Sequence, residues 1–156
     1  MDVVVSTVGR FHAFDLARQL LNRGYLRKLY TGYPLWKVDR DLRPYSRVFP
    51  WVVTPQMGFS RYGLRLLSEG LNEFACNSFD QWVSGQLPDC DILVAQSQSG
   101  LRSLVRANTQ GVKTICLRGS IHIIRQNELL MEEYGIYGKR ITPVQKWAIE
   151  KELAEY

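Results

Sequence analysis

Short apolar runs alternate along this chain with stretches whose apolar positions recur every three or four residues. Val3-Val4-Val5 is a continuous β-branched run, the pattern of a strand buried on both faces. A polar turn, Ser6 to His12, follows it. Phe14, Leu16, Ala17, Leu20 and Leu21 then recur at helical spacing, and Gly24 supplies a C-terminal stop. Leu26 to Thr31 reads as a second strand, ended by Gly32-Tyr33-Pro34. The opening is therefore strand, glycine-containing turn, helix, strand.

Residues 35–58 are less regular. Pro44, Pro50 and Pro55 argue against a long helix there, and Val48 to Thr54 reads as a short edge strand around Pro50. Residues 59–69 predict an amphipathic helix with a basic side formed by Arg61 and Arg65 beside Leu64, Leu66 and Leu67. Residues 71–86 predict another, with Leu71, Phe74, Ala75, Phe79, Trp82 and Val83 available to a core and Pro88 ending it.

Asp91 to Ala95 is a buried strand, and Gln96 to Gly100 is a polar loop with Ser99 as helix N-cap. Leu101, Leu104, Val105 and Ala107 continue as a helix that stops near Gly111. Thr114 to Leu117 is another buried strand. After Arg118 to His122, a helix carries Ile123, Ile124, Asn127, Leu130, Met131 and Tyr134, and Gly135 and Gly138 close it. Thr142 caps a last helix, with Pro143 at its first position and Gln145 completing a capping-box-like pattern. This alternation predicts an α/β fold: a Rossmann-like parallel sheet with helices on both faces.

Composition narrows the classes. The chain has 156 residues, 46% of them hydrophobic and 22% charged, which suits one folded domain rather than long disorder. No run approaches the ~20 apolar residues of a membrane span, and the first residues lack the pattern of a secretion signal. Three widely spaced cysteines, Cys76, Cys90 and Cys116, with no Cys-x-x-Cys, indicate neither a zinc site nor a disulfide framework. Cys116, in an apolar run, reads as a small core residue. With no Asn-x-Ser/Thr sequon either, a reducing cytoplasm is the simplest compartment.

The net charge of +5 is uneven: residues 1–65 hold 11 Lys/Arg against 4 Asp/Glu, whereas residues 66–156 hold 9 against 11. A basic first half attracts phosphates on nucleic acid, lipid headgroups or a small ligand, unless it is only a solvated surface.

In open parallel sheets, ligands bind beyond the carboxyl ends of the strands. Three loops qualify: Thr7 to His12, Gln96 to Gly100, and Arg118 to His122. Both histidines of the chain fall in them, each beside a glycine and an arginine at a helix start. His12 is either a cap or a ligand contact, and His122 leans towards function. Arg118 either touches a ligand or pairs with an acid such as Glu128 or Glu132. Ser97 and Ser99 lack a nucleophile elbow and read as loop polars. Gly-x-Gly-x-x-Gly, the P-loop and His-Glu-x-x-His are absent, and the acids of Glu132-Glu133 and of Glu150 to Glu155 read as solvated faces. Scattered arginines and no recognised module signature leave nucleic acid out.

Three stretches together resemble a family. They are Val3-Val4-Val5-Ser6 through Leu20-Leu21-Asn22-Arg23-Gly24, Cys90 to Ala95 with its serine-rich loop, and Thr114 to His122 followed by Gln126 to Tyr134. The chain resembles the N-terminal domain of retaining glycosyltransferases of the GT-B architecture, in the large group-1, family 4 class. The resemblance implies transfer of a sugar from a nucleotide-diphosphate donor, without a metal or other cofactor. It implies a histidine contacting the transferred sugar, matched by His122, and a glycine-bearing first loop, matched by Gly9, although the family's frequent double glycine is missing. In this reading Arg10 or Arg118 supplies positive charge, and His12, Ser97, Ser99 and Ser120, from the three loops, are the further candidate substrate-binding residues.

The family's donor-binding second domain is not in this sequence. The last helix runs through Trp147, Ala148, Ile149 and Leu153 to Tyr156 with no stop signal. The expectation is an acceptor-side N-terminal domain, 1–156, of a longer enzyme, inactive as an isolated piece. Its partners would be a sugar donor and a glycan or lipid-linked acceptor, with peripheral membrane contact through residues 59–69. The competing reading is a non-catalytic Rossmann-like module that binds a phosphorylated ligand.

Overall fold

The structure, a computed structural model, describes residues 1–61, 65–138 and 144–156. It is an α/β fold built on a five-stranded, all-parallel sheet. The strands are β1 (Val3–Thr7), β2 (Leu26–Thr31), β3 (Ser46–Val48), β4 (Ile92–Gln96) and β5 (Lys113–Leu117), in the order β3-β2-β1-β4-β5. The helices are α1 (Phe11–Asn22), α2 (Pro50–Arg61), α3 (Arg65–Gly85), α4 (Leu101–Thr109), α5 (Ile123–Ile136) and α6 (Lys146–Glu155).

The β-branched run at Val3-Val4-Val5 does what its pattern demands. β1 lies at the centre, paired with β2 through Val5–Leu29 and with β4 through Val4–Leu93. Its side chains alternate between two cores. Val4, with Leu93 and Ala95, packs against Ala75, Phe79 and Val83 of α3 and Leu104 of α4. Val3 and Val5 pack on the other face against Ala13, Phe14 and Ala17 of α1. A strand buried on both faces has no room for a polar alternation, so the apolar run is continuous.

Four expectations change. First, no strand passes through Pro50: β3 ends at Val48, and α2 runs from Pro50 with Pro55 inside it. Proline's fixed φ suits the first helical position, and its missing N–H has no helical partner there. Pro55 removes only the bond to the Trp51 carbonyl. The helix is held by Val53, which is fully buried. Gly32 makes this contact possible, since a Cβ there would lie 2.6 Å from Val53 Cγ1 and 2.6 Å from the Val8 carbonyl oxygen.

Second, the helix expected over 59–69 falls across the end of α2 and the start of α3. Residues 62–64 lie outside the described residues, as do the side chains of Arg61 and Arg65. Of the side chains expected to face a core from 71–86, Phe74 instead points outward, 59% exposed.

Third, β5 is an edge strand and is not buried on both faces: Ile115 is 49% exposed and Cys116 is only half-buried. Fourth, α6 begins at Lys146, with Gln145 in extended backbone as its N-cap. The expected cap at Thr142 and Pro143 lies outside the described residues.

Candidate functional site

From β1 the chain moves outward to β2 and β3, then crosses back to place β4 on the other side of β1. The loops after β1 and β4 therefore part, and a crevice opens above their carboxyl ends, where open α/β sheets hold ligands. Two cavities occupy it. The first, about 400 Å³, is walled by Phe11 and His12 from α1, Gln96 to Gln98 after β4, Arg118 to Ser120 after β5, and Gln126 of α5. The second, about 380 Å³, lies between Val8 and Gly9, Gln56 of α2, Asn72 and Cys76 of α3, and Gln96 to Ser99. Phe11, Gln96, Ser97 and Gln98 belong to both.

The loops are tied together by short polar contacts. The buried Thr7 hydroxyl lies 2.6 Å from the Gly9 carbonyl and 2.5 Å from Gln96 Oε1, joining the loop after β1 to the end of β4. The Ser97 amide donates to the Leu117 carbonyl at 2.9 Å, joining β4's loop to β5. Among the described residues, non-glycine positive φ occurs only at Phe11 (+32°) and Gln98 (+68°), and both line the two cavities. Such backbone costs of order 1–3 kcal/mol at each position and concentrates at ligand clamps.

The residues singled out from the sequence divide. His12, Ser97, Arg118 and Ser120 line the first cavity, and Gly9, Ser97 and Ser99 the second. Arg10 lines neither: it forms a two-pronged bond to Asp39, at 3.0 and 2.8 Å, and its guanidinium stands 5.3 Å over the Phe14 ring. His122 lines neither as well; it precedes α5 and stacks on Tyr156 with ring centroids 5.3 Å apart. Ser99 is not the N-cap of α4. Gly100 holds that position, and the Ser99 hydroxyl donates back to the Gln96 carbonyl at 3.1 Å.

Arg118 pairs with neither Glu128 nor Glu132. Its partner is Glu152 of α6, and it also donates to the Ile121 carbonyl at 2.5 Å and to Gln126 Oε1 at 2.7 Å. Glu152 is fully buried, so the acids near the C-terminus are not all a solvated face. Ala148, Lys151, Glu152 and Glu155 form the buried side of α6. Glu155 takes the Gln98 amide at 2.5 Å and the Gly100 amide at 2.9 Å, and so supplies the negative charge that the start of α4 favours. Spacing held the signal: positions 148, 151, 152 and 155 share one helical face. Hydropathy drew the eye instead to Leu153, which is 43% exposed.

Burial holds the Glu155 carboxyl above its ordinary 4.5, outweighing the two amides and Lys151 that favour its charge; Asp80 adds to the rise. The folded state thus holds this proton more tightly than the unfolded chain. The stability that goes with it is present below the unfolded value and is lost as pH rises through the higher folded value. Glu155→Gln removes that loss. Its unfolding free energy should therefore gain on the parent's as pH rises from about 4 to about 7. Thermal melts across that range check this, and a pH-independent difference would contradict it.

Nucleophilic chemistry finds little support among the thiols. Burial pushes Cys76 up to about 11 and, with Glu155 and Glu152 nearby, Cys116 up to about 12, far from an activated thiolate. Among the described residues, no group of three His, Cys, Asp or Glu side chains is placed to hold a metal ion. What the crevice offers is amides and hydroxyls around an exposed aromatic ring, with one guanidinium, Arg118, already paired with Glu152. No family model matches the chain, and neither a curated protein nor a solved structure is significantly similar to it.

Proposed function

We propose that this chain is the acceptor-side domain of a retaining glycosyltransferase that uses a nucleotide-diphosphate sugar, and that its crevice holds the acceptor glycan. The observation that carries the reading is the first cavity's lining: Gln96, Ser97, Gln98, Ser120, Gln126 and His12, with one cation whose charge Glu152 already matches. Amides and hydroxyls that both donate and accept suit a ligand rich in hydroxyls. A phosphorylated ligand asks for unspent cations or free amides at a helix start; Arg10 is held by Asp39 and the Gly100 amide by Glu155, whereas the start of α1, Phe11 to Ala13, lines the first cavity with no side-chain cap. The phosphate-binding module is the second reading, and that uncapped helix start is the observation that favours it.

Retention, the nucleotide donor and the role of His122 rest on the sequence resemblance. Transfer needs the leaving diphosphate and an oxocarbenium-like sugar stabilised by fixed charges and dipoles. A donor screen on the full-length enzyme, read against His122→Ala, tests that part. For the acceptor, His12→Ala should weaken saccharide binding about tenfold, the loss of one hydrogen bond to a sugar hydroxyl. Titration calorimetry with neutral oligosaccharides and with inorganic phosphate decides between the readings. Phosphate binding that exceeds saccharide binding would favour the module.

A lipid-linked acceptor is part of the same proposal. Trp36 and Trp51 stand 73% and 79% exposed in the basic first 65 residues, beyond the carboxyl ends of β2 and β3. Tryptophan favours the membrane interface and cations favour anionic headgroups. Among the described residues, no helix is long and apolar enough to cross a membrane, so such contact is at the surface. Equal, negligible sedimentation with anionic and neutral vesicles would remove this arm.

A further inference from the structure

Phe11 is an anomaly in three respects. Its ring is 66% exposed although it opens the helix whose neighbouring Phe14 is buried. Its backbone sits at φ +32°, where a bulky side chain is strained. It stands between the two cavities and walls both. Gly9 explains how the ring is seated. A Cβ at residue 9 would lie 2.4 and 2.8 Å from two Phe11 ring carbons, so the ring rests against the bare backbone of Gly9. The glycine that the sequence offered for close approach to a ligand is already approached by Phe11. The backbone angle at Phe11 and the bare backbone of Gly9 together set where the ring stands, at the boundary of both cavities.

The second cavity lacks even the paired cation of the first. Among its described lining residues no side chain is charged: Gln56, Asn72, Gln96, Ser97, Gln98 and Ser99 supply amides and hydroxyls, and burial keeps the Cys76 thiol protonated. Two cavities of nearly equal size share one wall of amides and one aromatic ring.

We infer that Phe11 is a stacking platform dividing the crevice into two saccharide subsites, so that the ligand is a neutral oligosaccharide with successive units on either side of the ring. The C–H face of a pyranose is apolar and packs on an aromatic face, while its hydroxyls reach the surrounding amides. This inference rests on the saccharide reading above and adds the length of chain recognised and the residue that reads it.

The test uses the whole protein and a panel of neutral trisaccharides (maltotriose, cellotriose, triacetylchitotriose and mannotriose) with their monosaccharides. Affinity comes from calorimetry, and location from backbone amide shifts. At least one trisaccharide should bind about tenfold or more tightly than its monosaccharide. It should shift amides of both cavities, Ser120 in the first and Asn72 in the second. Phe11→Ala should abolish that advantage and Phe11→Tyr should keep it. Gly9→Ala should also abolish it, because the new methyl displaces the ring without removing it. Thermal melts verify that each variant is folded, and Phe11 lies outside both cores, so its removal opens no cavity there. Saccharides that bind only in the first cavity, or a Phe11→Ala variant that keeps the advantage, overturn the two-subsite inference and leave the saccharide reading standing. Failure of every saccharide to bind overturns both.

Discussion

Replacing Glu152 with alanine should lower the unfolding free energy by about 3–5 kcal/mol, among the largest losses any single substitution in this chain produces. Glu152 is fully buried, and the Arg118 side chain facing it keeps only 11% of its exposure. The Coulomb gain of such a pair is roughly consumed by taking both charges out of water. Removing one partner then strands the other. The loss extends beyond the pair, since Glu152 also accepts from Tyr156 at 2.8 Å and from Gln98 Nε2 at 3.2 Å. The double variant Arg118→Met with Glu152→Leu should recover part of the stability, because no stranded charge remains, although the Tyr156 hydroxyl and the Gln98 amide still lose their acceptor. Urea unfolding of the parent, the single and the double variant decides the matter. A single variant within about 1 kcal/mol of the parent would mean that water reaches Arg118.

The second large effect belongs to Asp80, also fully buried. One of its oxygens accepts from the Ser103 amide at 3.0 Å and the Ser103 hydroxyl at 2.6 Å, and the other from the Arg102 amide at 2.8 Å. Lys151 lies 3.8 Å away. Asp80 thus caps α4 from a different helix, the function that Ser99 was expected to serve locally. Asp80→Ala should cost about 2–4 kcal/mol: the loss of a cap plus buried donors left without acceptors. Asp80→Asn, which keeps one acceptor oxygen, should cost less. Amide exchange at Arg102 and Ser103 should accelerate in the alanine variant beyond what global destabilisation explains. Unchanged exchange there would show that α4 is capped by Glu155 alone.

These two residues mark where the sequence was hard to read. β1, β2 and β4 were legible because an apolar run between turn signals admits few other structures. β5 was legible as a strand, but its half-exposure was not, because edge position depends on which strands pair and not on the strand's own residues. α2 was hidden by its prolines, whose effect depends on position: at the first turn Pro50 helps, and Pro55 is overruled by the burial of Val53. The loops of the crevice followed from the strand pattern alone. Their inner chemistry did not follow. Arg118 found its acid on α6 rather than at the nearby Glu128 or Glu132, and Phe11 entered the site through a backbone angle that no residue type announces.

The strand order has a consequence for how the molecule assembles. β1 and β2 meet through a short local crossover, whereas β1 and β4 meet only after a long stretch of chain has folded between them; Asp2 and Asp91, joined at that seam, are 89 positions apart. Closing such a separation costs about 1 kcal/mol more in chain entropy than closing the β1–β2 crossover, which favours its forming second. The crevice is the upper end of this seam, so it does not exist until the two halves have closed. A ligand held there can recognise only the finished sheet. Saturation should then slow exchange of the most protected amides of β1 and β4 together, and leave the fraying of helix ends as it was.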